Sequence, residues 1–72
     1  MKKYDYFIFY VHGCNSPAII GYAENYRRCV EMTNNYIKEN KINTMYDMAF
    51  SFNQKTQECD TINIYDQQEA IL

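Results

Sequence analysis

The spacing of the apolar residues changes between residues 4 and 37, and this change constrains the fold more than any other feature of the chain. Residues 4–11 are apolar or aromatic at nearly every position, which is typical of a buried strand. Residues 12–17 interrupt this run with turn-forming residues. From Ile19 to Ile37 the apolar residues recur every three or four positions, which predicts an amphipathic helix.

The sequence also predicts where this helix begins and ends. Ser16 can accept a hydrogen bond from a free backbone N–H as the N-cap, and Pro17 at the first helical position removes no intrahelical hydrogen bond. Gly21 weakens the first turn, so a regular helix that begins nearer Tyr22 is the alternative. Asparagines at positions 40 and 43 mark the C-terminal end.

Two further strands are predicted after the helix. Residues 44–52 alternate between large apolar side chains and smaller or polar ones, which is typical of a half-buried strand. A polar turn over residues 53–58 separates this strand from a third one, predicted from Cys59 to Tyr65. A connection of this length between alternating strands favours an antiparallel hairpin.

The last residues of the sequence carry a weaker helix signal. Asp66 with Glu69 three residues later forms a weak capping box, which predicts one helical turn within residues 66–72. Together the elements predict a single small domain over residues 1–72 with the order β-α-β-β. The fold class is therefore α+β, in two layers, with one amphipathic helix on one face of a three-stranded sheet and a short C-terminal helical turn.

Both faces of the first strand are apolar, which indicates a central strand or one covered on both sides. We assign Phe7, Phe9 and Val11 to the face beneath the helix. The other predicted core residues are Ala23, Tyr26, Val30, Ile37, Met48, Phe50, Phe52, Ile62 and Ile64.

Charge and cysteine content exclude several classes of protein. The formal net charge of −2, the pI near 5.2 and the lack of a basic stripe argue against a nucleic-acid binder. Three cysteines without clustered spacing do not form the even framework of a small secreted domain. The apolar run after Lys2 and Lys3 contains Asp5, which is unlike a signal peptide, and no stretch has the roughly 20 apolar residues of a membrane span. We expect a cytoplasmic protein that binds no membrane.

Reactive side chains crowd together only between the first strand and the predicted helix. Cys14 could act as a thiolate nucleophile with His12 as its base, because a helix start lowers a thiol pKa. The alternative is a turn with no chemistry. A zinc site from His12, Cys14, Cys29 and Cys59 lacks the short ligand spacing that such sites have, so no metal and no cofactor are predicted.

The sheet face opposite the predicted helix side offers a candidate binding surface. Tyrosine rings bury area at interfaces while their hydroxyls keep a polar partner. The predicted partner-binding residues on this face are Tyr6, Ile8, Tyr10, Met45, Asp47 and Tyr65. The alternatives are a solvated face covered by the C-terminal turn, and a platform on which single-stranded RNA bases stack.

In size and composition the chain is similar to the small accessory proteins that bacteria and their phages encode to bind and modulate another protein. This similarity rests on no motif. It implies a non-catalytic inhibitor or regulator that binds a protein partner, or a second copy of itself as a homodimer, through the Tyr-rich sheet face or an open strand edge. A small thiol enzyme centred on Cys14 and His12 is the alternative, and single-stranded RNA binding is a further one.

Overall fold

The computed structural model describes residues 4–64 as an antiparallel sheet of four strands with one α-helix packed on one face. The elements are β1 (Tyr6–Val11), β2 (Ala18–Ala23), α1 (Tyr26–Asn40), β3 (Met48–Asn53) and β4 (Glu58–Ile62). The strands lie in the order β2-β1-β3-β4, and each neighbouring pair is antiparallel. No helix within residues 4–64 is long and apolar enough to cross a membrane.

The α+β class, the single helix and the antiparallel β3–β4 hairpin are confirmed, but the number of strands and the start of the helix were predicted wrongly. The order is β-β-α-β-β, because residues 18–23 form a strand that pairs with β1. The tight connection between β1 and β2 contains Gly13, whose φ of 60° is in the left-handed region that glycine tolerates. The predicted C-terminal helical turn at residues 66–72 lies outside the described residues.

Helix α1 begins after β2 and not at Ser16. The Asn25 side chain accepts a hydrogen bond from the Arg28 backbone N–H at 2.8 Å, so Asn25 is the N-cap. At the other end Lys41 adopts a left-handed conformation with φ of 51°, and its N–H donates to backbone carbonyls of the last turn. The helix therefore has a defined cap at each end.

The helix packs on the sheet face that carries the smaller residues of β2 and β3, together with Ile8 and Tyr10 of β1. Ile8 and Tyr10 of β1 and Ala49 and Ser51 of β3 are buried there. A Cβ at Gly21 of β2 would lie 2.9 Å from Met32 Cε, so this position has no room for a side chain without movement of the methionine. The buried apolar residues are Ile8, Tyr10, Ala23, Cys29, Ile37, Ala49, Ile62 and Ile64.

The predicted assignment of the two sheet faces was wrong. Phe7, Phe9 and Val11 of β1, with Phe50 and Phe52 of β3, lie on the face away from α1 and are only half-buried. Small residues let the helix backbone approach the sheet closely. The larger rings are consequently turned outward, although hydrophobicity alone favours them for the core.

Candidate interaction surface

The sheet face away from α1 is an almost continuous apolar surface, which we call the aromatic face. It is defined by the alternation of side chains along the strands and by the pairing register, in which Phe7 lies opposite both Tyr22 and Phe52. Ile19 lies opposite Phe9 on the same face. The aromatic face consists of Phe7, Phe9, Val11, Ile19, Tyr22, Met48, Phe50, Phe52, Cys59 and Thr61.

The rings at the centre of the aromatic face pack against one another. The Phe7 centroid lies 5.2 Å from that of Tyr22 with the planes at 86°, and 6.3 Å from that of Phe52 with the planes at 27°. Phe9 contacts both Phe7 and Phe52 edge to face at 6.4 Å. These are the arrangements that aromatic pairs prefer, so the rings form an ordered plate.

No helix or strand among residues 4–64 packs over this plate. Around the half-buried rings, Ile19 is 47% exposed, Tyr22 52% and Met48 48%. A scattered exposed apolar side chain is ordinary, but a contiguous patch of them is often an interaction site. The aromatic face is therefore the first candidate for a functional surface.

The aromatic face carries no charged side chain at any of its ten positions. The nearest acidic residues of β4 are Glu58 and Asp60, which lie opposite Asn53 and Ser51 and so alternate onto the other side of the sheet. The face has no lysine or arginine to contact a phosphate. Its chemistry suits an apolar partner surface.

The structure does not bring the predicted partner-binding residues onto one open surface. Ile8 and Tyr10 are buried beneath α1, and Tyr6 is partly buried against the same core. Asp47 is buried as well, whereas Met45 is exposed in the loop before β3. Tyr65 lies outside the described residues. The sheet face that α1 leaves uncovered is the opposite one, which carries Phe7, Phe9, Phe50 and Phe52.

The residues of the aromatic face were missed as surface residues because their hydrophobicity assigned them to the core. The alternation along β3 separates Phe50 and Phe52 from Ala49 and Ser51 clearly, yet it does not say which set meets the helix. The sequence feature that could have identified the helix-facing side is the small size of Ala49 and Ser51, which alternate with the two phenylalanines of β3. Ala49 and Ser51 permit a close helix, and phenylalanines at those positions would not.

The buried Asp47 carboxylate joins the loop before β3 to the end of β1. Its Oδ2 accepts hydrogen bonds from the Tyr10 hydroxyl at 2.6 Å and from His12 Nδ1 at 2.8 Å. Its Oδ1 accepts one from the Gly13 backbone N–H at 2.8 Å. Burial by itself raises the pKa of Asp47, but these three hydrogen bonds together outweigh it and hold the pKa below its ordinary value.

The same network affects Tyr10 and orients His12. Burial, the hydrogen bond to Asp47 and the nearby charge raise the pKa of Tyr10, so its hydroxyl stays protonated and keeps donating. Because His12 Nδ1 faces the carboxylate, Nε2 is directed away from it, and 61% of the side chain is exposed. An aspartate–histidine pair of this kind resembles the base of a nucleophilic site.

The thiols do not complete such a site. Cys14 is exposed two residues after His12, and no hydrogen bond joins its sulfur to the imidazole in the described part of the chain. Cys29 is buried in the core, and this burial raises the pKa of its thiol and keeps it protonated. Residues 4–64 contain no group of three or more His, Cys, Asp or Glu side chains that could hold a metal ion.

A groove of about 660 Å³ runs along the outer edge of β2. It is lined by Gly21 and Ala23 of β2 and by Arg28 and Met32 of α1, among other residues. Its charged groups are Glu24 and Arg28, and it contains no pair of residues arranged as a nucleophile and a base. It is a second concave surface next to the aromatic face, with Tyr22 at the border of both.

The comparisons with known proteins add no further assignment to this geometry. No protein-family model matches the chain, and no curated protein or solved structure matches it either.

Proposed function

We propose that this chain is a non-catalytic protein-binding module that contacts its partner through the aromatic face. The observation that carries this proposal is the combination of four phenylalanines on the two central strands with six neighbouring positions on the same face, none of the ten carrying a charge. Most small domains place their largest apolar rings inside. Here isoleucines, Tyr10 and small residues fill the core, and the four phenylalanines are only half-buried on the outer face.

The anatomy of the aromatic face resembles that of a protein interface. Phe7, Phe9, Phe50 and Phe52 occupy the centre, on β1 and β3. The outer strands contribute Ile19 and three side chains with polar groups, which are Tyr22 on β2 and Cys59 and Thr61 on β4. An aromatic centre within a more polar rim is the arrangement in which a few buried residues supply most of the binding energy.

An inhibitory or regulatory role in a reducing cytoplasm belongs to the same proposal. All three cysteines are free thiols, two of them exposed, which suits a reducing compartment better than an oxidising one. A domain of this size can act by covering a surface of a larger protein. The aromatic face is the part of the described chain best suited to that contact.

Two other functions compete with this proposal and have weaker support. The rings on the central strands could stack RNA bases, but proteins that bind single strands combine such rings with a positively charged groove, and this face has no cation. A thiol enzyme is favoured by the Asp47–His12 pair alone. Within residues 4–64 Cys14 makes no hydrogen bond to His12, so the pair is not arranged to activate this thiol.

The proposal is tested by a pull-down from an extract of the source organism, in which the unmodified chain is compared with three single-substitution variants. Met48→Asp and Tyr22→Asp each place a charge on the aromatic face at a side chain that is already half exposed. Tyr46→Asp is the matched control, because Tyr46 is 79% exposed and lies outside the aromatic face. We expect a stoichiometric partner with the unmodified chain and the control, and its loss with both face variants.

Equal capture by all four proteins would show that the partner binds elsewhere. An oligonucleotide titration at low salt checks the competing function, since tight binding of single-stranded RNA that the face variants lose would favour the stacking platform. Circular dichroism on each variant confirms that the fold is retained.

A further inference from the structure

We propose that the aromatic face binds a second copy of this chain, so that two sheets pack face to face in a symmetric dimer. This inference rests on the proposed function, because it names the occupant of the same surface. In a two-fold dimer the same patch serves both subunits and must be complementary to itself. The charge, layout, size and edges of the sheet each bear on whether this patch meets that requirement.

The charge distribution on this face is compatible with self-association. The chain has a formal net charge of −2, so two copies repel each other weakly at long range. All ten positions of the aromatic face are uncharged, so two such faces meet without bringing like charges together. A surface that carried a net charge of one sign would select a partner of the opposite sign. This one selects an uncharged apolar surface, and a second copy provides one.

The layout of the face suits the packing of two sheets. The side chains at its centre are four phenylalanines from β1 and β3, which are the inner strands. Sheets that pack face to face are separated by about 10 Å, a gap that side chains from the two inner faces fill by interdigitation. With α1 on the outside of each sheet, the dimer has four layers with an aromatic layer in the middle.

The size of the face predicts a weak dimer and not an obligate one. Four strands about 4.8 Å apart and about six residues long give a footprint of about 19 Å by 20 Å, or roughly 400 Å² per copy. Stable specific interfaces bury about 800 Å² per partner, and transient ones bury less. We therefore expect association that depends on concentration in the micromolar range or above.

The two edges of the sheet are poorer places for a second copy. An antiparallel β4–β4 pair would bring Glu58 and Asp60 of one copy close to the same carboxylates of the other. On β2, the pairing register shifts between Ile8 and Phe9 of β1, so an extra residue, Ile20, forms a bulge. A bulge disrupts the regular hydrogen-bonding ladder that a second strand would need at that edge.

Analytical ultracentrifugation over a range from low micromolar to near millimolar protein tests this inference directly. We expect the unmodified chain to change from monomer to dimer over that range. Met48→Asp and Tyr22→Asp should each weaken dimerisation roughly a hundredfold or more, because the symmetry places two unpaired charges in one interface. Tyr46→Asp should leave the dissociation constant unchanged within about twofold, since its site lies outside the aromatic face.

The other outcomes overturn the inference. An unmodified chain that stays monomeric throughout shows that no second copy binds. A dimer that the face variants leave intact shows that the copies meet at another surface. Both outcomes can be distinguished from failure of the proposed function. If the chain is monomeric but its face variants lose a captured partner, the aromatic face still binds a protein, and only the identity of that partner as a second copy is wrong. If neither self-association nor capture depends on the face, both proposals fail together.

Discussion

At the scale of single residues, Asp47 is the side chain whose role follows most directly from its contacts. It is 2% exposed and accepts three hydrogen bonds, from Tyr10, His12 and Gly13. A buried carboxylate is costly unless its charge is met by donors in this way. The sequence placed Asp47 on a partner-binding surface, and nothing in its local pattern shows the Tyr10 hydroxyl that lies 37 positions earlier in the chain.

The lowered pKa of Asp47 predicts how stability changes with pH. The pKa of this carboxyl is lower in the folded state than its ordinary value of 3.8. Ionised Asp47 therefore stabilises the folded state at pH values above the pKa of the unfolded state. This contribution is lost as the pH falls through the folded value, because the proton then binds both states. We expect the unfolding free energy to fall more steeply between about pH 5 and about pH 2 in the unmodified chain than in Asp47→Asn.

Chemical denaturation at a series of pH values measures this difference. Asp60→Asn is the matched control, because Asp60 is an exposed aspartate on β4. Its pH profile should follow that of the unmodified chain. An Asp47→Asn profile parallel to the unmodified one would show that the three hydrogen bonds do not hold the carboxylate in its ionised form.

At the scale of secondary-structure elements, β1, β3, β4 and the C-terminal part of α1 were predictable from the sequence, and β2 was not. Ile19, Tyr22, Ala23 and Tyr26 follow one another at steps of three, one and three, which fits the continuing helical pattern. In the structure they belong to a bulged edge strand and the first helical residue. The bulge removes strict alternation, so the segment lost the period of two that identifies a strand.

The position of the helix start can be tested by comparing two caps. Asn25→Ala should lower the unfolding free energy by about 1 kcal/mol, because the Arg28 N–H loses its acceptor. Ser16→Ala should change it by less than about 0.5 kcal/mol, since Ser16 lies in the exposed connection between β1 and β2. Urea denaturation of both variants gives the comparison. The opposite ranking would place the start of the helix at Ser16, as the sequence first indicated.

At the scale of the whole molecule, the α+β class with a single helix was predictable, but the fourth strand and the orientation of the sheet were not. A strand that is apolar on both faces, like β1, can present either face to a helix with little change in the pattern. The choice was decided by steric fit between distant elements. Gly21 and Ala49, which are small, lie where α1 approaches, and the rings of Phe50 and Phe52 point the other way. The prediction that Ile8 and Tyr10 lie on an open face was wrong for the same reason.

The orientation of the sheet makes a prediction about two apolar residues on opposite faces. Ile8→Ala removes a fully buried side chain and should lower the unfolding free energy by about 2–5 kcal/mol through lost burial and a cavity. Phe50→Ala truncates a larger side chain that is only half-buried, so it should cost roughly 1–2 kcal/mol. The measurement is urea denaturation at low micromolar protein, where association through the aromatic face contributes little. A greater loss at Phe50 than at Ile8 would mean that the phenylalanine face is the one beneath the helix. Such a result would leave the Tyr6, Ile8 and Tyr10 face open instead, and would remove the structural basis for binding through the aromatic face.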